Sequence, residues 1–194
     1  MAGQWFDEYR QGLKQALDAT PTAAVEEVLR LLEQAYHDDR QVFIMGNGGS
    51  ASTASHVACD LNKNVCAGLE RRYRVICLND NLPMMMAYAN DLSYEDIFVE
   101  PMKNFLQPGD LVIGISASGN SPNVLKAITY ANQRGAHTVG LSGFEGGKLS
   151  RLVATPLVVP VNDMQKIEDV HLTIFHVAMQ YLYARLQKPQ VPAA

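Results

Sequence analysis

The sequence predicts a single α/β domain: a doubly wound parallel sheet of about five strands, flanked by helices and preceded by a helical hairpin. Three observations carry that prediction. Short β-branched runs, nearly continuous in apolar character, recur along the chain as buried parallel strands require. Segments with apolar residues at helical spacing alternate with them. The length, 194 residues with 47% apolar, suits one core of ordinary size, so residues 1–194 are read as one domain.

Trp5 to Leu17 and Ala23 to Tyr36 each repeat apolar side chains at helical spacing, and Thr20 and Pro21 between them offer an N-cap and an N1 proline. Residues 1–38 therefore form a helical hairpin. Strands are expected at 41–46 (QVFIMG), 74–79 (RVICLN), 110–116 (DLVIGIS), 137–143 (HTVGLSG) and 155–161 (TPLVVPV). Helices fall at about 50–63, at 83–104 with a break near Asn90, at 121–134, and in a long final segment from Met164 to Leu186. Only the tail 188–194, KPQVPAA, reads as disordered. The amphipathic first and last helices carry more apolar surface than one small sheet needs, which points to burial against other subunits.

Bulk properties exclude several classes of function. The formal charge is −4 with no block of one sign, so the electrostatic footprint of a nucleic-acid binder is missing. Cys59, Cys66 and Cys77 have neither zinc-ribbon spacing nor the even count of a secreted disulfide framework, and suit a reducing compartment. The N-terminal segment is amphipathic and acidic rather than signal-like, and no run approaches the roughly 20 apolar residues of a membrane span. A cytoplasmic protein without membrane contact is expected.

Two strand ends carry the chemistry. The first expected strand runs through Met45-Gly46-Asn47-Gly48-Gly49-Ser50 into a helix, where glycines admit close backbone approach and the helix terminus offers free N–H groups to an anion. The third runs through Ile115-Ser116-Ala117-Ser118-Gly119-Asn120-Ser121-Pro122 into another, with Ser121 placed as N-cap and Pro122 as N1. Capping accounts for Ser121 alone. Ser116 and Ser118 add two hydroxyls, and such neutral donors suit a phosphate that must be released after turnover. A phosphorylated ligand at the carboxyl edge of the sheet is the reading.

His56 and Asp60 stand at i and i+4 in the helix after the first loop, on one face. The last helix adds Gln165, Glu168, His171 and His176. For His171, burial with a satisfied ring is the favoured reading.

In order along the chain, Asn47-Gly-Gly-Ser50, Ala89-Asn90-Asp91, Asp96-Ile97-Phe98, Gly114-Ile-Ser-Ala-Ser-Gly-Asn-Ser121, Gly143-Phe-Glu-Gly-Gly-Lys148, Ile167 and His176 resemble the sugar isomerase (SIS) domain family and its phosphoheptose isomerase branch. The resemblance covers nearly the whole chain. It implies a flavodoxin-like SIS fold and an aldose–ketose isomerase, sedoheptulose 7-phosphate giving D-glycero-D-manno-heptose 7-phosphate through an enediol, in the synthesis of the heptose of surface polysaccharides. It further implies zinc, one per subunit, held by His56, Asp60, Glu168 and His176, with Asp60 as base and His176 as acid. Ser50, Ser116, Ser118 and Ser121 would hold the phosphate, Asn47 and Asp91 would meet sugar hydroxyls, and Gly48, Gly49, Ala117 and Gln165 would complete the substrate site. A homotetramer built on the helical hairpin and last helix is implied as well.

Four positions depart from the family pattern. Asp60 is one methylene shorter than the family Glu, Glu168 replaces a Gln, Gln165 stands for an Asp and Asn64 for an Arg. They leave two alternatives open: an isomerase acting on a different phosphosugar, and a non-catalytic SIS-domain protein that binds the replication initiator. Eight residues separate Glu168 from His176, about 12 Å along a straight helix, so both reach one ion only by leaning together or by serving different subunits' sites.

Overall fold

The computed structural model describes residues 2–187 of the chain; the tail expected to be disordered lies outside them. Among the described residues the elements are α1 (Ala2–Ala19), α2 (Thr22–His37), β1 (Gln41–Gly46), α3 (Gly49–Cys59), β2 (Arg74–Cys77), α4 (Leu82–Asp91), α5 (Val99–Lys103), β3 (Leu111–Ile115), α6 (Pro122–Gln133), β4 (His137–Gly143), α7 (Leu149–Leu152), β5 (Thr155–Val159) and α8 (Met164–Leu186). The five strands are all parallel, in the order β2-β1-β3-β4-β5. The expected doubly wound sheet is therefore present.

Successive strand residues point to opposite faces, and both faces are covered. Val42 and Ile44 of β1, with Ile113 and Ile115 of β3, meet the layer made by α1, α2, α3 and α8. Phe43 and Met45, with Val112, meet the layer made by α5, α6 and α7. That double burial is why the strands read as continuous apolar runs rather than alternating ones. Phe43, Phe98 and Phe175 are wholly buried, and truncating any of them to Ala removes about 3–5 kcal/mol of stability.

Several boundaries move for identifiable reasons. Thr20 does not cap α2: its hydroxyl donates back to the Ala16 carbonyl at 2.8 Å, closing α1, and Pro21 takes the flanking position. β2 stops at Cys77, two residues early, because Asn79 continues the ladder with its side chain, accepting from Gly46 N at 3.1 Å and donating to Gly46 O at 2.8 Å. β5 stops before Pro160, which has no N–H to give. The segment 83–104 breaks just after Asp91 into α4, a 3₁₀ turn at Tyr94–Asp96 and α5. After Cys59 the helix of 50–63 widens into a π-helical turn, Asp60–Val65, a departure that in other proteins often marks a functional site. The single turn α7 is too short to carry a periodic signal.

Candidate functional site

The chain places β2 on one side of β1 and then returns to place β3 on the other, so β1 and β3 flank the switch point of the sheet. Gly46 and Ile115, the last residues of these strands, are register partners. Both loops thus leave the sheet at one level.

The first loop enters α3 through Gly48, whose φ of +56° is costly for a side-chain-bearing residue, and no side chain caps the helix. Gly49 is needed for a different reason: a methyl there would fall on the Glu168 carboxylate of α8. In the second loop Ser121 occupies the N-cap position and Pro122 follows it, as expected, but the Ser121 side chain makes no capping hydrogen bond. Its hydroxyl instead lies 2.9 Å from that of Ser116, which lies 3.5 Å from that of Ser118. All three hydroxyls therefore belong to one cluster, leaving the first turn of α6 without a side-chain cap.

Asn47, Gly48, Gly49, Ser50, Ser116, Ala117, Ser118 and Ser121 line one cavity of about 270 Å³, with Ile115 beneath and Met164 and Glu168 of α8 beside it. Eight of the expected substrate residues are brought together. Asp91 and Gln165 are not among the lining residues: Asp91 ends α4, exposed and bonded to the Asn90 amide at 2.8 Å, and Gln165 is exposed on the first turn of α8.

Farther along α3 and α8 the second group forms. His56 Nε2 stands 3.1 Å from His176 Nε2 and 3.2 Å from Asp60 Oδ2, and the other Asp60 oxygen accepts from Asn64 Nδ2 at 2.6 Å. The ligand atoms of His56, Asp60 and His176 all lie within 4.8 Å of one another. Ligands about 2.0–2.1 Å from a tetrahedral zinc stand roughly 3.3 Å apart, so both close spacings match an edge of that polyhedron. Two imidazoles and one carboxylate are also a donor set zinc accepts, and the three leave a fourth position open. Glu168, expected as a fourth ligand, is not brought to this group. It stays two turns back, at the cavity.

His171 is buried as expected, but only half of its ring is satisfied, with Nε2 3.1 Å from the Ser142 carbonyl. Burial pushes its imidazole down to about 4, so it is neutral at physiological pH. Its Nδ1 and the Ser142 hydroxyl are buried without hydrogen-bond partners.

Three residues of the surroundings escape sequence reasoning. Asn123 of α6 is 1% exposed and exchanges two hydrogen bonds with Asn47, at 2.9 and 3.0 Å. Tyr94 donates its hydroxyl to Asn47 Oδ1 at 3.0 Å. The turn carrying Tyr94 is tied to α6 by Lys126, 2.7 Å from Asp96, whose carboxyl it holds below its usual range together with the Ser93 hydroxyl. Asn79 is the third, through its bonds to Gly46. For Asn123 a signal exists: it is a polar residue on the stripe that carries Val124, Ala127 and Ile128 into the core.

Comparisons with known proteins bear on the family and the fold. A family model for the SIS domain matches residues 4–143. A phosphoheptose isomerase of Geotalea daltonii is 37% identical over 160 residues, 82% of each chain. One of Synechocystis is 32% identical over 183 residues, 94% of each. Among solved structures, a phosphoheptose isomerase from Neisseria gonorrhoeae superposes with a TM-score of 0.83 at 25% identity, over 94% of this chain and 96% of that one. Another from Francisella tularensis, 23% identical, has the same fold at a TM-score of 0.86, over 95% and 99%.

Proposed function

We infer the function from one premise: the chain belongs to the SIS domain family and, within it, to the phosphoheptose isomerases. It is an isomerase, and its reaction is the interconversion of sedoheptulose 7-phosphate and D-glycero-D-manno-heptose 7-phosphate. One observation supports the reading most strongly. Two strand-end loops and α8 line a single cavity; α3 and the π-helical turn that continues it carry His56 and Asp60, and α8 carries His176.

The phosphate is bound by the hydroxyls of Ser116, Ser118 and Ser121 with Ser50 and the backbone of Gly48 and Gly49, an uncharged cradle at two helix N-termini. The sugar then extends along α3. Ser50 and His56 are six residues apart, about 9 Å along the helix, so the carbonyl end meets the histidine–carboxylate group. Asp60 removes the proton from the carbon beside the carbonyl, and His176 carries the hydroxyl proton between the two oxygens. Asn64 keeps one Asp60 oxygen engaged, leaving the other toward the histidines. His56, Asp60 and His176 would hold a zinc ion, which would supply Lewis-acid polarisation at the sugar carbonyl. Glu168 faces the bound sugar rather than the metal, a reading favoured by its seat on Gly49.

The protein works in the cytosol as a homotetramer. Supporting this are cysteines that are all unpaired, Trp5 and Phe6 exposed on α1, and Val177 and Tyr183 exposed on α8. No described helix is long and apolar enough to cross a membrane. The test is direct: purified protein incubated with sedoheptulose 7-phosphate yields an aldoheptose 7-phosphate, and no other phosphorylated sugar of five to seven carbons is turned over faster. Failure to convert any of them would remove the isomerase reading.

A further inference from the structure

The hydrogen bonds around Asn47 specify more than its position. Carboxamide oxygen and nitrogen look alike in shape, and their assignment follows from the bonding network. The Val124 backbone N–H, which can only donate, lies 2.9 Å from one terminal atom of the Asn123 carboxamide, so that atom is the oxygen. The other atom of Asn123 is then the nitrogen and donates to Asn47 at 3.0 Å, which makes the receiving atom Asn47 Oδ1. Asn47 Nδ2 consequently donates back to Asn123 Oδ1 at 2.9 Å. The Tyr94 hydroxyl donates to the same Asn47 oxygen at 3.0 Å.

Both acceptor sites of Asn47 Oδ1 are therefore filled, one by Asn123 and one by Tyr94. Of the two N–H bonds on Nδ2, one is committed to Asn123 and one is not. Since Asn47 lines the cavity, what it offers a ligand is a donor and nothing else. We propose that Asn123 and Tyr94 are positioning residues that fix the Asn47 carboxamide as a one-way hydrogen-bond donor to an acceptor oxygen of the sugar phosphate.

This rests on the isomerase reading above and adds a polarity to it. An ionised phosphate oxygen accepts without donating, and a fixed donor discriminates in favour of such an atom over a hydroxyl that must also donate. The arrangement is also economical in motion: Asn123 is buried among the apolar residues of α6, so the carboxamide it holds does not reorient when the ligand arrives.

Steady-state kinetics on sedoheptulose 7-phosphate, with melting temperatures recorded alongside, test the proposal. Tyr94 is exposed, so Tyr94→Phe folds normally; removing one neutral hydrogen bond lowers kcat/KM about fivefold. Because Tyr94 acts through Asn47, the double variant Tyr94→Phe, Asn47→Ala is no slower than Asn47→Ala. Asn47→Asp, which keeps the shape and abolishes the donor, is slower than Asn47→Ala. Additive losses in the double variant, or an Asn47→Asp enzyme as fast as wild type, would overturn the proposal. Should wild type turn over no sugar phosphate, the isomerase reading fails separately. In that event NMR still decides the network: cross-relaxation between the Asn47 and Asn123 side-chain amides supports it, and its absence overturns it.

Discussion

At the sheet edge the site consists of backbone turns and short hydroxyl side chains, with Ser50 and Ser116 buried; farther along α3 and α8 it consists of the longer side chains of His56, Asp60 and His176, with the His56 side chain 49% exposed. The first region takes its geometry from topology, because register places Gly46 and Ile115 side by side and both loops must follow. The second depends on how α8 packs against α3, which brings His176 to His56. On the proposed function the first region would hold an anion and the second would move protons, and substitutions should separate the two tasks.

The largest effect is expected at the proton-moving end. Asp60→Asn keeps the size and the hydrogen bond to Asn64 but removes the proposed base, so kcat is expected to fall by about 10³-fold. Thermal stabilisation by sedoheptulose 7-phosphate persists in that variant; loss of binding together with turnover would merge the two regions into one. Metal analysis sharpens the contrast further. Wild type is expected to carry about one zinc per chain, His176→Ala none, and Ser116→Ala to retain the ion.

Two histidines of α8 extend the comparison to pH. His176 is exposed in the cluster, whereas His171 is buried with its pKa lowered to about 4 from an ordinary 6.5. The unfolded chain takes up a proton at His171 near pH 6.5 and the folded chain only near pH 4, so stability is full above pH 6.5 and declines as pH falls through that window. The contribution is roughly 3 kcal/mol. Urea unfolding of wild type between pH 7 and pH 4 should show that slope, and His171→Gln should lose most of it.

The smallest effect belongs to the anion end. Ser116→Ala removes one hydrogen bond to a charged group, so KM rises about tenfold while kcat is retained. A fall in kcat with unchanged KM would place Ser116 with the chemistry instead.

What is legible in the sequence follows the same division. The strands, the order of elements and the two loops can be read because they rest on local signals: β-branched runs, glycine at strand ends, serine and proline at a helix start. His56 and Asp60 can be paired by helical spacing, but their meeting with His176 does not follow from periodicity, since 120 residues separate His56 from His176; the family resemblance supplies it. The same resemblance sets Glu168 beside the metal, where helix geometry counsels caution, and its carboxylate lies on Gly49. Ser121 reads as a cap because the cap preference is a local rule, while its partner Ser116 comes from the end of the preceding strand. Asn79 and Tyr94 stay hidden because their bonds reach 33 and 47 residues along the chain, beyond any sequence period, while Asn123 shows only as a polar residue on the buried stripe of α6, its partner 76 residues away.

The central claim, that one sugar phosphate spans both regions, is tested most directly by a crystal structure of Asp60→Asn with sedoheptulose 7-phosphate bound. The account predicts the phosphate among Ser116, Ser118 and Ser121, and the carbonyl carbon beside the substituted side chain and near His176. A phosphate bound elsewhere, or a sugar directed away from α3, would contradict it.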